Sequence, residues 1–288
     1  MRFFVSVLAL LCFLVPAVAQ EPIKAVASFS ILGDLVTEVC GEHCVVTTIV
    51  GPDADAHIYE PSMADAIAVA EADIIFVNAL GFETWSTTLI DNSGTGAETI
   101  NVNVASDRLY VDGEVDPHAW NDPQNAVAMM TEIAKALGQL VPSKQTEFDR
   151  NRQASAQKLM TSLTPVLARI ESLPVNRKTV VTAHDAFGYL GRATGLTFLA
   201  PVGIDGESEP SAQQLVALIE QIKSTEAAAL FVENVNTPEL VRQIGDETGL
   251  SIGGRLFSDA LSEKGGPAHS YRAMMVYNLT AILSELEK

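Results

Sequence analysis

The stretch TVVTAHDAFGYLGRATGLTFLAPV, from Thr179 to Val202, shows how the chain folds. The β-branched run TVVTAH predicts a strand, FGYLGRATG predicts a helix ending at Gly195, and LTFLAPV predicts a second strand. A strand, a helix and a strand in close succession are typical of a βαβ unit, in which the two strands are parallel. The stretch therefore indicates an α/β fold built on a parallel sheet.

The same alternation occurs on both sides of this stretch. Towards the N-terminus, IKAVASFSIL, CVVTTIV and DIIFVNA predict strands with helices between them. Towards the C-terminus, AALFVE and IGGRLF predict strands, and SYRAMMVYNLTAILSELE predicts a closing helix. We therefore expect two similar α/β lobes, each with a parallel sheet flanked by helices.

The middle of the chain has a different pattern. A helical pattern runs from Asn125 to Leu140, Val141 and Pro142 interrupt it, and a second one continues to Leu173. That second helix would be about 45 Å long at about 1.5 Å per residue, with a kink expected at Pro165. It would form a rigid strut between the lobes. The predicted organisation is a signal peptide at 1–19, an N-terminal lobe at 20–141, a linking helix at 142–173 and a C-terminal lobe at 174–288.

The N-terminus predicts export. A basic start, an apolar run and the triplet Ala17-Val18-Ala19 are typical of a secretory signal peptide cleaved after Ala19. The apolar run is marginal for a membrane span of about 20 residues. Cys12 lies in this run without the small preceding residue that a lipoprotein cleavage site requires. We expect a periplasmic protein with no lipid anchor, and the net charge of −18 argues against a nucleic-acid partner.

Two further cysteines, Cys40 and Cys44, lie in the segment CGEHC. In an oxidising compartment a disulfide between them is the default expectation. His43 lies between them, so a Cys-His-Cys metal cluster is the alternative.

Three of the five histidines lie where a predicted strand ends or a helix begins. His57 follows CVVTTIV, His118 lies in the proline-rigidified turn DPHAWNDP, and His184 ends TVVTA. Ligands of parallel α/β sheets bind beyond the carboxyl ends of the strands, so these side chains can converge. Any one of them taken alone would more often be an ordinary loop or hydrogen-bonded residue than a ligand.

A fourth candidate is Asp259, in LFSDALS, after the last predicted strand. A metal site built from imidazoles without thiolate needs a carboxylate or another histidine to complete its shell. His57, His118, His184 and Asp259 would supply two ligands from each lobe, so the site can form only when the lobes face each other. The alternative role for Asp259 is a helix N-cap.

Five segments carry a resemblance to a known family: GPDADAHIYEP, NALGFETW, DPHAWNDPQNA, TAHDAFGYL and FVENVNTPELVRQIGDETG. In order and spacing they resemble the metal-binding solute-binding proteins of ABC importers for zinc and manganese, the cluster A-I family, from about Ala25 to the C-terminus. The resemblance implies a C-clamp of two lobes joined by one long helix, with the metal in the cleft. Its four ligand positions correspond to His57, His118, His184 and Asp259.

The donor set bears on the choice of ion. In manganese members of the family the third ligand is usually a glutamate, whereas this chain has His184. Three imidazoles and one carboxylate suit Zn²⁺ better than the harder Mn²⁺. Many zinc members carry a histidine-rich loop between the first two ligands, and the corresponding SDRLYVDGEVD has no histidine. We therefore expect zinc, with manganese less favoured.

Residues around the ligands can be proposed as well. Each ligand imidazole needs an acceptor for its other ring nitrogen. The nearest acidic candidates in sequence are Glu60, Asp116, Asp185 and Glu233. Trp120 and Phe187 are expected to form apolar walls that shield the metal from water.

The resulting functional hypothesis is a periplasmic, high-affinity zinc-binding component of an ABC importer. We expect a monomer that delivers Zn²⁺ to the membrane subunit of a permease, with a metal-donating chaperone as a possible further partner. A manganese- or iron-binding member of the same family is the alternative. From a different class, a secreted zinc hydrolase could use the three histidines with Glu60 or Asp185 as base, but the chain has no HExxH, GxSxG or P-loop motif.

Overall fold

A computed structural model describes residues 21–104, 107–206, 210–225, 227–236 and 238–288 of the chain. The predicted signal peptide and Cys12 lie outside these ranges. In the described part of the chain, no helix is both long enough and apolar enough to cross a membrane.

The N-terminal lobe is built on a four-stranded parallel sheet. Its strands are β1 (Ile23–Phe29), β2 (Cys44–Val50), β3 (Ile74–Val77) and β4 (Glu98–Asn101), in the order β2-β1-β3-β4. Its helices are α1 (Ser30–Cys40), α2 (Met63–Ala70) and α3 (Ser86–Ser93). β1 and β3 are buried at every position but one, as expected for central strands covered on both faces.

A short antiparallel hairpin follows this sheet, formed by β5 (Tyr110–Val111) and β6 (Glu114–Val115). It was not predicted, because each of its strands has only two residues and leaves no periodic pattern. Two long helices come next, α4 (Pro123–Leu140) and α5 (Gln145–Ser172). The 28 residues of α5 stay helical through Pro165 and span about 42 Å at about 1.5 Å per residue.

The C-terminal lobe repeats the topology of the first. Its strands are β7 (Thr179–Val181), β8 (Thr197–Leu199), β9 (Ala229–Glu233) and β10 (Ile252–Leu256), in the order β10-β9-β7-β8, all parallel. Its helices are α6 (Gly188–Thr194), α7 (Ala212–Ser224), α8 (Glu239–Thr248) and α9 (Tyr271–Leu286). In each sheet the first strand lies between the second and the third, and the fourth forms an edge. The predicted fold class is confirmed.

The two lobes are joined by more than the long helix. One continuous hydrophobic core contains side chains of both sheets together with α1, α4, α5 and α9. Across the seam, the Trp120 indole donates to the Ser258 carbonyl at 2.8 Å, and the Tyr271 hydroxyl donates to the Trp120 carbonyl at 2.6 Å. The Leu261 N–H donates to the Ser30 hydroxyl at 3.0 Å. These buried contacts hold the lobes in one mutual orientation.

Cys40 and Cys44 lie at the end of α1 and the beginning of β2. Their Cα atoms are 5.8 Å apart, a separation that a disulfide spans. His43 points away from them, with Nε2 2.6 Å from the Glu147 carboxylate of α5. Among the described residues these three side chains form no metal-binding cluster, so the geometry favours a disulfide over the Cys-His-Cys alternative.

Asp34 on α1 gives the fold a pH-dependent contact. Its carboxylate accepts the N–H of Tyr271 in the first turn of α9 at 2.8 Å. Burial raises the pKa of Asp34 to about 6, against an ordinary value of 3.8, although the Tyr271 hydrogen bond lowers it in part. The folded state therefore holds this proton more tightly than the unfolded state. The contribution of Asp34 to the free energy of unfolding is therefore complete below about pH 4 and is lost as the pH rises through 6.

We expect Asp34→Asn to flatten this pH dependence, because the amide oxygen still accepts the Tyr271 N–H but does not ionise. Urea unfolding with excess chelator measures the free energy of unfolding between pH 4 and 7. The unchanged chain should lose up to about 3 kcal/mol through this group, since each pKa unit corresponds to about 1.4 kcal/mol. Parallel curves for the two chains would contradict the assignment.

Candidate metal centre

Four side chains meet in the cleft between the lobes: His57, His118, His184 and Asp259. His57 lies on the loop after β2 and His118 on the segment between β6 and α4. His184 follows β7, and Asp259 follows β10. The structure thus brings together all four predicted ligand side chains, two from each half. Asp259 caps no helix, because the next helix, α9, begins at Tyr271 with Ser270 as its N-cap.

One atom from each of the four side chains lies within 4.8 Å of the others. Nε2 of His184 is 3.1 Å from Asp259 Oδ2, and Nε2 of His118 is 3.6 Å from Asp259 Oδ1. Nε2 of His57 is 3.7 Å from Asp259 Oδ2 and 3.4 Å from Nε2 of His118. The three imidazoles therefore direct the same ring nitrogen at one carboxylate.

Asp259 is a buried carboxylate whose closest polar neighbours among the described residues are the three imidazoles. Its side chain is 1 % exposed, and in the described part of the chain neither carboxylate oxygen accepts a hydrogen bond. Burial alone would raise its pKa, but the imidazoles of His184 and His118 outweigh burial and hold the pKa of Asp259 far below its usual value. A buried, ionised carboxylate needs a positive charge beside it.

The imidazoles differ in their electrostatic surroundings. Burial lowers the pKa of His57 to about 4, although the charge of Asp259 partly opposes this. Burial also disfavours the charged form of His184, but the carboxylates of Glu233 and Asp259 outweigh it and raise the pKa of His184 well above its usual value. The pKa values of His57 and His184 are therefore shifted in opposite directions.

Two of the four proposed acceptors contact the far nitrogen of an imidazole. Asp116 Oδ1 is hydrogen-bonded to His118 Nδ1 at 2.8 Å and also accepts the His118 backbone N–H. Glu233, the last residue of β9, places Oε2 2.7 Å from His184 Nδ1, and its other oxygen accepts the backbone N–H groups of Ala183 and His184. Both contacts restrict the ring orientation and leave Nε2 facing the centre.

The other two proposed acceptors do not contact an imidazole. Glu60 is exposed, because the chain turns outward after His57, and within the described ranges it forms no hydrogen bond to a histidine. Asp185 directly follows His184. Its backbone N–H donates to the carbonyl of Val202, and among the described residues its carboxylate contacts no imidazole nitrogen. Proximity in sequence was misleading at both positions, since adjacent residues of a loop point in different directions.

The walls of the site also differ in part from expectation. Trp120 is fully buried, with its ring centroid 5.3 Å from that of His118. Phe187 instead stacks on Phe198 at 5.3 Å. The aromatic wall beside His57 is Phe82, with its ring centroid at 4.6 Å in an edge-to-face arrangement.

Phe82 belongs to a loop that the sequence analysis did not assign to the site. Ala79 and Leu80 have positive φ values of 59° and 58°, a backbone region that non-glycine residues rarely adopt. Glu83 holds this loop, because its Oε1 accepts the Ser28 hydroxyl and the Asn78 N–H at 2.8 and 2.5 Å. Burial raises the pKa of Glu83. The motif NALGFETW could have indicated this loop. The role of the loop depends on its backbone geometry, however, and side-chain types do not reveal that geometry.

Gly206 is the second site residue that the sequence analysis did not identify. Its φ is +71°, and a Cβ there would lie 3.7 Å from His57 Cδ2 and 3.9 Å from His184 Cδ2. Its backbone therefore lies against an imidazole from each lobe. In the repeated topology, Gly206 lies on the loop after β8, which corresponds to the loop of His57 after β2.

Comparison with known proteins identifies the family of this chain. A family profile described as "Zinc-uptake complex component A periplasmic", or ZnuA, matches residues 25–285. The chain belongs to the ZnuA family. It is therefore a substrate-binding component of a metal ABC transporter, whose partner is a membrane permease, and not an enzyme. The family resemblance is confirmed, and the hydrolase alternative is excluded.

Two relatives of this ZnuA-family protein are named for manganese. The manganese-binding lipoprotein MntA of Halalkalibacterium halodurans is 29 % identical over 270 residues, covering 93 % of this chain and 90 % of the relative. The manganese ABC transporter substrate-binding lipoprotein PsaA of Streptococcus pneumoniae is 29 % identical over 279 residues, with the same coverage of 93 % and 90 %.

Solved structures show the same fold. The manganese-bound periplasmic metal binding protein of Candidatus Liberibacter asiaticus is 30 % identical, with a TM-score of 0.85 over 93 % of this chain and 100 % of the other. The periplasmic zinc binding protein TroA of Treponema pallidum is 29 % identical, with a TM-score of 0.86 over 93 % and 99 %.

These comparisons correct two expectations about this ZnuA-family protein. The expectation of a protein with no lipid anchor is wrong by comparison with relatives named as lipoproteins, MntA and PsaA among them. The absence of a suitable residue before Cys12 was too weak a criterion for that conclusion. The statement that manganese is less favoured also has no support from the relatives, since several carry manganese in their names.

Glu83 provides a stability test of the loop beside His57. We expect Glu83→Ala to lower the free energy of unfolding by about 2 kcal/mol or more, because a buried donor left unpaired costs about 1–3 kcal/mol. Glu83→Gln keeps an acceptor at the Oε1 position and should retain most of the stability. Chemical unfolding of the three chains provides the measurement. Equal losses in both variants would contradict the stabilising role of the Oε1 acceptor.

Proposed function

We propose that this protein captures Zn²⁺ outside the cytoplasm with His57, His118, His184 and Asp259, and delivers it to the permease. The observation that carries the proposal is the buried Asp259 carboxylate, whose oxygens accept no hydrogen bond in the described part of the chain and face three imidazole Nε2 atoms. A divalent cation at this point would compensate the buried charge and engage every donor atom at once.

The separations of the donor atoms support zinc. Zinc bonds to nitrogen and oxygen of about 2.0–2.1 Å in a tetrahedron require donor atoms about 3.3 Å apart. Four separations in the cluster, measured to Oδ1 or Oδ2 of Asp259 and between His57 and His118, lie between 3.1 and 3.7 Å, and one donor atom from each of the four side chains lies within 4.8 Å of the others. A shell of three imidazoles and one carboxylate also suits zinc better than a harder ion. Four protein donors leave no open position for water, as expected for capture and not for catalysis.

Manganese is the second candidate ion, and the names of the relatives favour it. MntA and PsaA are named for manganese, and a structural neighbour is described as manganese-bound. Against these names stands the nitrogen-rich donor set of this chain. Only direct competition between the two ions decides the cargo.

The mode of delivery follows from the seam between the lobes. Hydrogen bonds from Trp120 and Tyr271 and a shared core oppose large lobe rotations. Release at the permease would therefore come from local loop shifts that separate one or two ligands. A monomeric state and a metal-donating chaperone stay predictions.

Competition between the ions tests the cargo. We expect the metal-stripped protein to retain Zn²⁺ over Mn²⁺ by at least about a hundredfold, since affinity for nitrogen-rich sites rises strongly from Mn²⁺ towards the end of the first-row series. Equilibrium dialysis against mixtures of the two ions, with metal analysis of the protein, gives the ratio. Preferential retention of manganese would overturn the choice of ion and leave the capture function standing.

The role of Asp259 is tested by removing its charge without changing its shape. Asp259→Asn should weaken zinc binding by at least about a hundredfold, because a neutral amide replaces the charged ligand. The variant itself should stay folded. Asp246→Asn, a change on α8 away from the cluster, is the control. Unchanged zinc affinity in Asp259→Asn would contradict the four-ligand site.

The contact between Glu233 and the His184 imidazole is tested by comparing two Glu→Gln variants. Glu233→Gln should reduce zinc affinity by about ten- to a hundredfold, the usual effect of losing an acceptor behind a histidine ligand. Glu60→Gln should have no effect, since Glu60 is exposed and contacts no imidazole among the described residues. Competition titration with a zinc chelator gives both values. A loss in Glu60→Gln as large as that in Glu233→Gln would refute the distinction.

A further inference from the structure

The hairpin of β5 and β6 leads directly into the segment that carries His118. Leu109 precedes β5 and Asp116 follows β6, so these two residues face each other at the base of the hairpin. The Asp116 N–H donates to the Leu109 carbonyl at 3.0 Å. In a regular antiparallel pair of this kind, the Leu109 N–H would donate to the Asp116 carbonyl in return.

The Tyr189 hydroxyl takes the place of that second backbone hydrogen bond. It accepts the Leu109 N–H at 3.1 Å and donates to the Asp116 carbonyl at 3.0 Å. Tyr189 is fully buried, and burial raises the pKa of its hydroxyl, so the hydroxyl remains a donor at neutral pH. A side chain of the C-terminal lobe therefore closes the base of a hairpin that belongs to the N-terminal half of the chain.

Asp116 connects this contact to the metal centre. Its Oδ1 accepts the His118 Nδ1–H at 2.8 Å and the His118 backbone N–H at 2.9 Å. Its carbonyl is the group that Tyr189 holds. Displacement of the Asp116 backbone would therefore move the acceptor behind His118 and change the direction of the His118 Nε2 atom.

Helix α6 packs closely on Asp116. A Cβ at position 188 would lie 3.0 Å from Asp116 Oδ2, so the glycine there allows α6 to approach. Arg192, one turn further along α6, places its guanidinium carbon 5.0 Å from the centroid of the Tyr189 ring and donates to the Asp107 carbonyl at 2.9 Å. These contacts restrict the Tyr189 ring and hold α6 against the hairpin.

Side chains of both lobes hold the segment that follows the hairpin. Asn78 of the N-terminal lobe donates to the Pro117 carbonyl at 3.0 Å, next to the Asp116 carbonyl that Tyr189 holds. The Asn121 side chain in turn donates to the Ala186 carbonyl of the C-terminal lobe at 3.0 Å. Two consecutive carbonyls are thus held by side chains from different lobes.

We propose that Tyr189 is a positioning residue for metal capture, whose hydroxyl fixes Asp116 and, through Asp116, the orientation of the His118 imidazole. This inference rests on the proposed function and adds to it a residue outside the ligand set. His118 belongs to the N-terminal half of the sequence, but the C-terminal lobe orients it. Without the hydroxyl, the Leu109 N–H and the Asp116 carbonyl lose their shared partner, and direct pairing between them would draw Asp116 towards Leu109.

Tyr189→Phe removes the hydroxyl and keeps the ring. We expect the zinc affinity to fall by about tenfold, the lower end of the usual effect of losing an outer contact behind a histidine ligand. Competition titration of the full chain with a zinc chelator gives the value, after circular dichroism shows that the variant is folded. A fall of less than about threefold would overturn the proposal.

Ser155→Ala is the control for a general loss of stability. It removes a hydrogen bond between α5 and Glu38 of α1, and Ser155 lies in neither the hairpin nor a loop that carries a ligand. Its zinc affinity should stay within about twofold of that of the unchanged chain. A fall as large as that in Tyr189→Phe would refute the specific role of the hydroxyl.

A double-mutant comparison separates positioning from a structural role. Asp116→Ala removes the acceptor behind His118 and should weaken zinc binding by about ten- to a hundredfold. Adding Tyr189→Phe to this variant should change the affinity by no more than about twofold, because both changes act through the same contact. Losses that multiply would place the effect of Tyr189 elsewhere and overturn the proposal.

Nuclear magnetic resonance of the protein with isotope-labelled histidine gives a readout that does not depend on zinc. In the metal-free chain, the signal of the His118 Nδ1–H should shift in Tyr189→Phe, whereas the ring signals of His184, which faces Glu233, should not. An unchanged His118 signal would overturn the proposal. If the unchanged chain is folded but binds neither Zn²⁺ nor Mn²⁺, the proposed function fails, and the role of Tyr189 in metal capture falls with it.

Discussion

The buried carboxylate of Asp259 is the constraint on which the centre of this protein depends. An ionised group with almost no exposure and no hydrogen bond to its oxygens is costly, unless positive charge lies beside it. Three imidazoles surround it, and the carboxylates of Asp116 and Glu233 stand behind two of them. Negative charge is thus arranged in two layers around the Nε2 atoms. A cation at the centre would compensate this negative charge.

The fold brings these groups together by using one topology twice. Each lobe has four parallel strands with the first between the second and the third, so the loops at the carboxyl ends of the strands face the cleft from both sides. Equivalent loops have different tasks. The loop after the second strand carries His57 in one lobe and Gly206 in the other, and the end of the third strand leads to the Phe82 loop in one lobe and supplies Glu233 in the other. The repeated topology places equivalent loops at the cleft, and the side chains on each loop determine its role.

The lobes behave as one body because their seam is chemically specific. Trp120 lies beside His118 and bonds to the carbonyl of Ser258, the neighbour of Asp259, so a wall of the centre is also a contact between the lobes. A site of this kind is pre-organised, and little ordering is left to occur when the cargo binds. The names of the relatives and of the solved structures include both manganese and zinc.

The sequence by itself determined the fold class, the long helix and the four converging side chains, because apolar periodicity and the position of polar residues after strands are local properties. The sequence also indicated Asp116 and Glu233 as acceptors for the ligand imidazoles. It could not distinguish them from Glu60 and Asp185, because the direction of a side chain within a loop depends on the backbone. Only the tertiary structure decided that Phe82 lies against His57 while Phe187 stacks on Phe198, and that a Cβ at Gly206 would contact an imidazole from each lobe. These features arise from contacts between segments far apart in the chain, and no periodicity in the sequence encodes which of them meet.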